Sequence, residues 1–518
     1  DHFFSLSLKT MDSRELKYPK YMVFCTVVAC LGSFSQGWTI GSPNIPGDAT
    51  HNCSTGYNHN YSSLLPDCLT MDSLLWGFSV SSFCIGGLLA SLLGGSLLTR
   101  IGRKKTLVVN NLGWIIGAVL IALSVNPAMF TIGRVFCGIS CGLGALATTT
   151  YVGEISTIKG RGAMGSMNQL MVVIGILLSN LIGLPLASVP LWRVNFALVA
   201  VPAIAQALLM SLCVESPRYL VSKNNIQEAR IVLQKLRGGA DVTQELQEIV
   251  AGQRTDGGYE APTDAKDPSG EMLPLQLPSE KSASTEFPSD YPSGVGVSPQ
   301  EKSQEALSIF GLFRNRVVRK ITLIVIFLHC TQQLSAINGV MYYSTTIFLG
   351  SYNAETSMYM AIGVSCLNLV FTILQVGIID YVGRRVLLIT SAAGACIFCV
   401  TLVIGGYFGL NELLVASVYI YVAFFAIGLG PIPWMITSEM SPTYAASSMG
   451  GIATCFNWSM NFVIGLIFPT LMDKLGSFSF VIFAAILFVA TIIMIIFLPE
   501  TKGKSIEQIY GEFENKYR

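Results

Sequence analysis

The feature that most restricts how this chain can fold is a series of twelve apolar blocks separated by short polar stretches. Each block is about 20 residues long, the length that a helix needs to cross the hydrocarbon core of a bilayer. Only 12% of the 518 residues are charged, about half the share in a typical soluble domain. We therefore predict an all-α membrane protein with twelve transmembrane helices and the lipid bilayer as its surroundings. The blocks begin near Tyr21, Trp76, Thr106, Ala128, Asn168, Asn195, Ile321, Ser357, Val386, Leu413, Met449 and Phe478.

Basic residues are unevenly distributed among the predicted loops. If the N-terminus is cytosolic, the loops on that side are rich in Lys and Arg, whereas the longest opposite loop has none between Gly47 and Asp72. Lys474 is the one clear basic residue in the other outer turns. The positive-inside rule therefore predicts that both termini and the central loop are cytosolic. The basic residues on the cytosolic side are Arg100, Arg103, Lys104, Lys105, Lys159, Arg161, Arg384 and Arg385.

The polar stretches also predict the domain organisation. The central linker has helical apolar spacing through Ile249, which predicts short amphipathic cytosolic helices. From about 252 to 303 it is rich in Pro, Ser, Gly, Asp and Glu, which predicts a disordered insertion whose regulatory partners the composition does not identify. The predicted regions are a cytosolic tail at 1–20, a six-helix bundle at 21–213, the cytosolic linker at 214–320, a second six-helix bundle at 321–498 and a cytosolic tail at 499–518.

The predicted extracellular loop, 47–74, carries two acceptor patterns for N-glycosylation, which begin at Asn52 and Asn60. Both lie where the topology predicts exposure to the secretory lumen. Cys53 and Cys68 share this oxidising compartment, so they either form a disulfide or remain free thiols. The other eleven cysteines lie mostly in apolar blocks, where we expect them to be small core residues.

The second half of the chain repeats motifs of the first half. GSLLTRIGRKK from Gly95 matches QVGIIDYVGRR from Gln375, and two further motif pairs keep the same six-helix offset. A Gly followed by two basic residues indicates a tight turn, and one copy alone is explained by ordinary cytosolic basic loops. Recurrence in both halves, with acids beside the bases, favours an ion-paired cytosolic gate that holds the halves together in one conformation. The predicted gate residues are Arg103, Glu154, Arg161, Glu215, Arg218, Asp380, Arg384, Arg385, Glu439 and Glu500.

Six strings carry a resemblance to a known family. They are YVGEIS from Tyr151, VESPRYL from Val214, QQLSAINGVMYYST from Gln332, GPIPW from Gly430, FNWSMNF from Phe456 and PETKGKS from Pro499. With them the chain resembles the facilitative glucose transporters, in the sugar porter branch of the major facilitator superfamily. The resemblance implies two six-helix bundles around a central cavity, a location in the plasma membrane, and a hexose carried by alternating access.

Amide side chains in the apolar blocks are candidates for sugar contacts, because an amide can both donate to and accept from sugar hydroxyls. An isolated amide in a membrane helix is more simply explained as helix glue. The resemblance assigns substrate-binding roles to Gln169, Gln332, Gln333, Asn338, Asn368, Trp434 and, more weakly, Asn461. It assigns an outer gate to Asn44, Tyr342 and Tyr343.

Several sequence features bear on substrate and coupling. The triplet that begins at Gln333 resembles that of glucose-selective members rather than fructose carriers. Where the family usually has Glu in the tenth helix this chain has Ala426, and Ala446 replaces a motif Arg at the start of the eleventh helix. The position at which proton-coupled relatives carry Asp is Thr39. We therefore predict uniport of D-glucose, with a proton-coupled symporter or a non-transporting sugar sensor as alternatives.

No nucleophile, metal-ligand or phosphate-binding pattern occurs outside the gate motifs. An enzyme, a cofactor and a metal site are therefore not expected. The net charge of +1 gives no indication of a nucleic-acid partner.

Overall fold

The computed structural model describes residues 17–52, 65–257, 309–442, 445–504 and 506–517. All regular elements within these residues are helices. Eleven stretches of the described residues are long and apolar enough to cross a membrane. The last, Ser448–Phe497, has 50 residues, about 75 Å of helix at 1.5 Å per residue and enough for two crossings. The predicted fold class, an all-α membrane protein with twelve spans, is confirmed.

The first half contains nine α-helices within its described residues, followed by a short 3₁₀ turn at Met210–Leu212 and three linker helices. The helices of the first half are α1 (Lys20–Gly41), α2 (Gly47–His51), α3 (Ser73–Ser81), α4 (Phe83–Ile101), α5 (Arg103–Ala122), α6 (Pro127–Ile155), α7 (Arg161–Gly183), α8 (Trp192–Ala197) and α9 (Ala200–Leu209). The linker helices are α10 (Pro217–Ser222), α11 (Ile226–Leu236) and α12 (Thr243–Gly257).

The second half repeats this arrangement with longer helices and two internal breaks. Its helices are α13 (Ile309–Arg314), α14 (Arg316–Leu334), α15 (Ile337–Leu349), α16 (Ala354–Val382), α17 (Arg384–Tyr407), α18 (Asn411–Ile427), α19 (Ile432–Met440), α20 (Ala446–Leu475), α21 (Ser479–Phe497) and α22 (Ile506–Tyr517). A short 3₁₀ turn at Gly476–Phe478 separates α20 from α21.

Several helices begin before the apolar block that predicted them. α5 begins at Arg103 rather than Thr106, and α7 begins at Arg161 rather than Asn168. The first turns of these helices carry polar and basic residues at the end of the bundle. Hydropathy detects only the apolar part of a helix, so it places the start too late.

The linker also differs from its predicted limits. α14 begins inside the predicted linker, at Arg316, and α12 continues to Gly257, beyond the predicted start of the insertion. The remainder of the insertion, 258–303, lies outside the described residues.

A fully buried arginine fastens the linker helices to the end of α6. Arg237 donates to Glu245 through Nε at 3.0 Å and Nη2 at 2.5 Å. It also donates to the carbonyl oxygens of Ile155 at 2.8 Å and Ser156 at 3.4 Å. These carbonyls belong to the last turn of α6, which has no intrahelical donors for them. The linker is therefore part of the packed structure of the first half.

Glycines allow the closest helix pairs to approach one another. A Cβ at Gly37 on α1 would lie 1.9 Å from the carbonyl oxygen of Val172 on α7, and one at Gly138 on α6 would lie 1.8 Å from that of Phe83 on α4. Small residues at such crossings are the usual means of helix association in membranes, where no hydrophobic effect drives helices together.

The two ends of the bundle differ in how the halves meet. We call the end where α4 meets α5, at Gly102, the basic end, and the opposite end the loop end. Near the loop end a Cβ at Gly77 would lie 2.4 Å from the carbonyl oxygen of Leu466 in the other half. Near the basic ends of α6 and α20, a Cβ at Gly153 or Gly450 would meet no atom within 4 Å. The halves are therefore in contact at the loop end, whereas these two glycines of the basic end have no close neighbour on that side.

Candidate functional site

Two broken helices frame the candidate site. Between α14 and α15 the chain turns at Ala336, whose φ of 71° is left-handed, and the carbonyl of Ser335 accepts from the hydroxyl of Tyr421 at 2.6 Å. Asn338, which with Gly339 forms a helix-breaking pair in isolation, lies in the first turn of α15 rather than at the break. The second break precedes α19, at Pro431. Such breaks are tolerated at membrane depth where they line a cavity.

A network of four amide side chains joins the two breaks. Asn457 on α20 donates to Gln332 at 2.7 Å and accepts from Gln333 at 3.0 Å. Asn338 donates to Gln333 at 2.6 Å, and Gln332 donates to the carbonyl of Gly430 in the second break. The structure therefore brings together three of the predicted sugar-contacting residues. Asn457 was not predicted, although it lies within the motif FNWSMNF.

The network continues to the predicted tryptophan through a histidine. Asn457 Nδ2 lies 3.2 Å from His329 Nδ1, and His329 Nε2 lies 3.0 Å from the hydroxyl of Thr437. Because the Thr437 hydroxyl donates to Pro433 O at 2.8 Å, it accepts from His329, which places the imidazole proton on Nε2. The rings of His329 and Trp434 pack edge to face with centroids 4.6 Å apart. Trp434 is 42% exposed, so this ring offers an accessible face.

The remaining predicted sugar contacts lie on other helices. Gln169 is partly exposed on α7, and Asn368 is buried on α16. In the described part of the chain neither makes a side-chain hydrogen bond to protein, so both amides keep their capacity for a ligand. Asn461 accepts from the hydroxyl of Tyr342 at 2.8 Å, which places it towards the loop end.

Two of the predicted outer-gate residues contact the other half, Asn44 through hydrogen bonds and Tyr342 through its ring against Phe83, whereas Tyr343 contacts its own half. Asn44 donates to the hydroxyl of Ser344 at 2.8 Å and accepts from the backbone of Thr345 at 3.0 Å. Tyr342 is fully buried, and Tyr343 donates to the carbonyl of Gly465 at 3.2 Å. These contacts close the loop end above the amide network.

A fully buried arginine that the sequence analysis did not single out lies between the first, second and fourth spans. Arg134 donates to the carbonyl of Thr39 at 2.8 Å, and to that of Val80 through Nη2 at 2.7 Å and Nε at 3.3 Å. Its guanidinium lies 5.0 Å from the centre of the Phe83 ring, a cation–π contact. None of its contacts with described residues involves a carboxylate. A lone Arg within an apolar block was the available sequence signal.

Comparison with known families identifies the chain. The family described as "Sugar (and other) transporter" matches residues 25–259 and 296–513. The chain belongs to the sugar transporter family. Among curated relatives, solute carrier family 2, facilitated glucose transporter member 3 of Oryctolagus cuniculus is 34% identical over 96% of this chain and 94% of its own length. Member 2 of Sus scrofa is 32% identical, with the same coverage.

Solved structures agree with this assignment. The inward-open conformation of the xylose transporter XylE from E. coli is 26% identical, with a TM-score of 0.71 over 95% of this chain and 100% of that one. A partially occluded inward-open conformation of XylE gives the same TM-score at 25% identity. The chain is therefore a sugar porter of the major facilitator superfamily, and its relatives are transporters rather than enzymes.

The transporter has the same polar network twice at its basic end. In the first half Arg103 pairs with Glu154 at 2.8 Å, and Glu215 accepts from the backbone of Arg103 and Lys104, each at 3.1 Å. Ser216 donates to the second oxygen of Glu154. The network therefore ties α5, α6 and the start of the linker together within one half.

The second half repeats these contacts residue for residue. Arg384 pairs with Glu439 at 3.1 Å, and Glu500 accepts from the backbone of Arg384 at 3.0 Å and Arg385 at 3.1 Å. Thr501 donates to Glu439 at 2.5 Å. Each of these pairs lies within one half, so in this conformation they do not join the halves.

Three other predicted gate residues lie near these networks. Arg161 and Arg218 are exposed, and the side chain of Asp380 lies outside the described set. Of the two family departures, Ala426 is buried in α18 and Ala446 is the first residue of α20.

A glycine lies at the centre of each network, and the need for glycine at this position can be tested. Gly383 has a φ of 99°, and an added Cβ would lie 2.8 Å from Glu500 Oε2. We expect Gly383→Ala to lower the thermal unfolding temperature of the purified transporter, because such backbone costs a non-glycine residue about 1 to 3 kcal/mol. Gly377→Ala on α16 is the control, since its Cβ would meet nothing within 4 Å. Equal unfolding temperatures for the two variants would contradict this requirement.

The predicted features of the outer loop are partly described. Asn52 is exposed at the end of α2, and Asn60 and Cys53 lie outside the described residues. Cys68 is disulfide-bonded, and eleven other cysteines are free. The pairing of Cys68 with Cys53 stays a prediction. The loop returns against the bundle through Arg193, which donates to the carbonyl of Pro66 at 2.7 Å.

Proposed function

We propose that this transporter is a facilitative uniporter that carries D-glucose through the plasma membrane by alternating access. The observation that carries the proposal is the amide network around Asn457, which lies between two helix breaks and below a closed loop end. A hexose has several hydroxyl groups, each of which needs a donor or an acceptor when it leaves water. The relatives that are named as facilitated glucose transporters support glucose as the sugar.

Two further features support a sugar site between the halves. They are a pair of amides from opposite halves and an exposed tryptophan ring. The amides of Gln169 and Asn368 come from opposite halves and have no protein partner within the described residues. Trp434 adds an exposed ring on which the C–H face of a pyranose can stack. A sugar held by both halves would favour their closure around it, which is the requirement for alternating access.

The orientation follows from charge. We place the basic end and both termini in the cytosol, because Lys and Arg are concentrated in the loops there. With this orientation the structure is inward-facing, since contacts of Asn44 and Tyr342 across the halves close the loop end. The ion-paired networks would then exchange partners, or meet across the halves, when the basic end closes.

Uniport is supported by the positions of the carboxylates. The acids within the described spans are Glu154, Glu355, Glu412, Glu439 and Asp473, and each lies within two residues of a helix end. Proton coupling requires a carboxylate in the membrane interior that loads and releases a proton. Arg134, a fully buried cation beside the first span, is stabilised by carbonyl dipoles rather than by an acid.

We expect proteoliposomes to equilibrate labelled D-glucose at the same rate with and without an imposed proton gradient, and never to accumulate it above the outside concentration. The reason is the lack of a proton-binding carboxylate near the amide network. The measurement is counterflow and net uptake of labelled glucose at matched internal and external pH, then with a pH step. Concentrative uptake that collapses on addition of a protonophore would show proton-coupled symport instead.

A sugar sensor is the second alternative, and it depends on the linker insertion. A variant that lacks 258–303 should retain glucose counterflow if the protein is a carrier. Sugar binding without counterflow, in the full chain as well as in this variant, would favour a sensor.

A further inference from the structure

An apolar cavity of about 300 Å³ lies between α14 and α21 near the basic end. Its floor is formed by buried Leu328, Met494 and Leu498, and its rim includes Leu323 and Phe497, which are about half exposed. A cavity with this lining does not hold water well, because it offers few hydrogen-bond partners. In a bilayer it is open to acyl chains.

The mouth of this cavity carries positive charge. Lys320 is its one charged lining residue. Arg316 precedes Lys320 by four residues, so the two lie on one face of α14. Arg319 is rotated from Lys320 by about 100° around the helix, and it does not line the cavity. Apolar walls below a cation match the form of an anionic phospholipid, with its chain in the cavity and its headgroup at Lys320.

A second cavity of about 260 Å³ continues the first towards the basic end and shares Phe497 and Leu498 with it. It contains Arg385 together with two acids. Both acids are engaged by the protein, since Glu500 accepts from backbone amides and Glu512 accepts from Lys504 at 2.6 Å. Among the described residues the lining of the first cavity contains no acid, so the headgroup is placed there, at Lys320.

The parallel repeat provides an internal comparison. In the first half the equivalent place, between the start of α1 and the end of the sixth span, is filled by the chain itself. Tyr21 donates to the carbonyl of Leu212 at 2.7 Å, and Lys235 of the linker helix α11 lies 4.8 Å above the Tyr21 ring. In the second half the matching place, between Lys320 and Leu498, is the open cavity.

We propose that this cavity is a binding site for one anionic phospholipid, which takes the place that Tyr21 and Lys235 fill in the first half. With the proposed orientation the site faces the cytosolic leaflet, where anionic phospholipids are concentrated. None of the four amides lines the cavity, so its occupancy can be measured in the absence of sugar.

The test measures lipid retention by the purified full-length transporter, by native mass spectrometry after incubation with equal amounts of phosphatidylserine and phosphatidylcholine. We expect one phosphatidylserine to be retained in preference to phosphatidylcholine. Lys320→Gln should weaken its retention about fivefold, the usual effect of one cation at a membrane surface. Arg319→Gln is the matched control, because it removes the same charge from the same helix outside the cavity, and it should change retention little.

A third variant tests the cavity rather than the charge. Leu323→Trp fills the rim and should lower retention while leaving every cation in place. The proposal is overturned if the unaltered protein retains both lipids equally, if Arg319→Gln weakens retention as much as Lys320→Gln, or if Leu323→Trp has no effect. Monodispersity and thermal unfolding of each variant establish that it is folded. Because the assay requires no transport, its outcome is independent of whether the protein is a uniporter.

Discussion

Asn457→Ala is expected to weaken D-glucose binding about 10- to 100-fold and to leave the protein folded. Asn457 holds Gln332 and Gln333 through hydrogen bonds of 2.7 and 3.0 Å, and it contacts His329 at 3.2 Å. Each such bond contributes about 0.5 to 1.5 kcal/mol. Without Asn457 both glutamine amides rotate, and the sugar has to order them when it binds.

The measurement is the dissociation constant of D-glucose for the purified variant, together with counterflow in proteoliposomes. Asn111→Ala is the matched control, because Asn111 is an equally buried amide that donates to the carbonyl of Leu107 in its own helix. A double variant, Asn457→Ala with Gln333→Ala, should lose less affinity than the sum of the single losses, since the two residues act in one network. Strict additivity would show that they do not act together.

The spans and the basic-end networks were the parts that the sequence could predict. Hydropathy is a local property, so a block of about 20 apolar residues reveals a span without knowledge of its neighbours. The repeat of Gly-Arg-Lys and Gly-Arg-Arg indicated two equivalent turns, and Gly102 and Gly383 have the positive φ that such turns require. Which acid Arg103 would meet was not predictable, because Glu154 lies 51 residues from it along the chain.

The residues that the sequence analysis missed depend on contacts between distant segments. Asn457 is one of several amides in apolar blocks. Only its contact with Gln332, which lies 125 residues earlier in the chain, distinguishes it. Arg237 lay in a segment with balanced charges, which gave no sign that it would be buried against the end of α6. The break between α14 and α15 lies at Ala336 rather than at Asn338 and Gly339, which are helix breakers in isolation, because packing rather than local preference decides its position.

Replacement of Arg134 is the second change for which we expect a large effect. Arg134 hydrogen-bonds two carbonyl groups that lack backbone donors within their helices. The amide that would bond the carbonyl of Thr39 belongs to the residue four positions later, which is Pro43 and has no N–H. The carbonyl of Val80 lies at the junction of α3 and α4, at Ser82. An unpaired carbonyl in the interior costs about 1 to 3 kcal/mol. The planar fork of Arg134 satisfies both carbonyls at once.

We therefore expect a specific order of stability among variants at this position. Arg134→Met removes the three hydrogen bonds but also removes a buried charge, so relief of the desolvation cost offsets part of the loss, and about 1 to 3 kcal/mol remains. Arg134→Lys keeps the charge, and a single ammonium does not span Thr39 and Val80. It should lose about 3 to 5 kcal/mol, the usual effect of an uncompensated buried charge.

The thermal unfolding temperatures of the purified variants, compared at one scan rate, should fall from the unaltered protein to Arg134→Met and then to Arg134→Lys. Glucose counterflow should fall in both, because the ends of α1 and α3 that Arg134 holds lead to the closed loop end at Asn44. Arg134→Lys with the stability of the unaltered protein would show that a point charge suffices there, and that the two carbonyls are not what retains an arginine in the membrane interior.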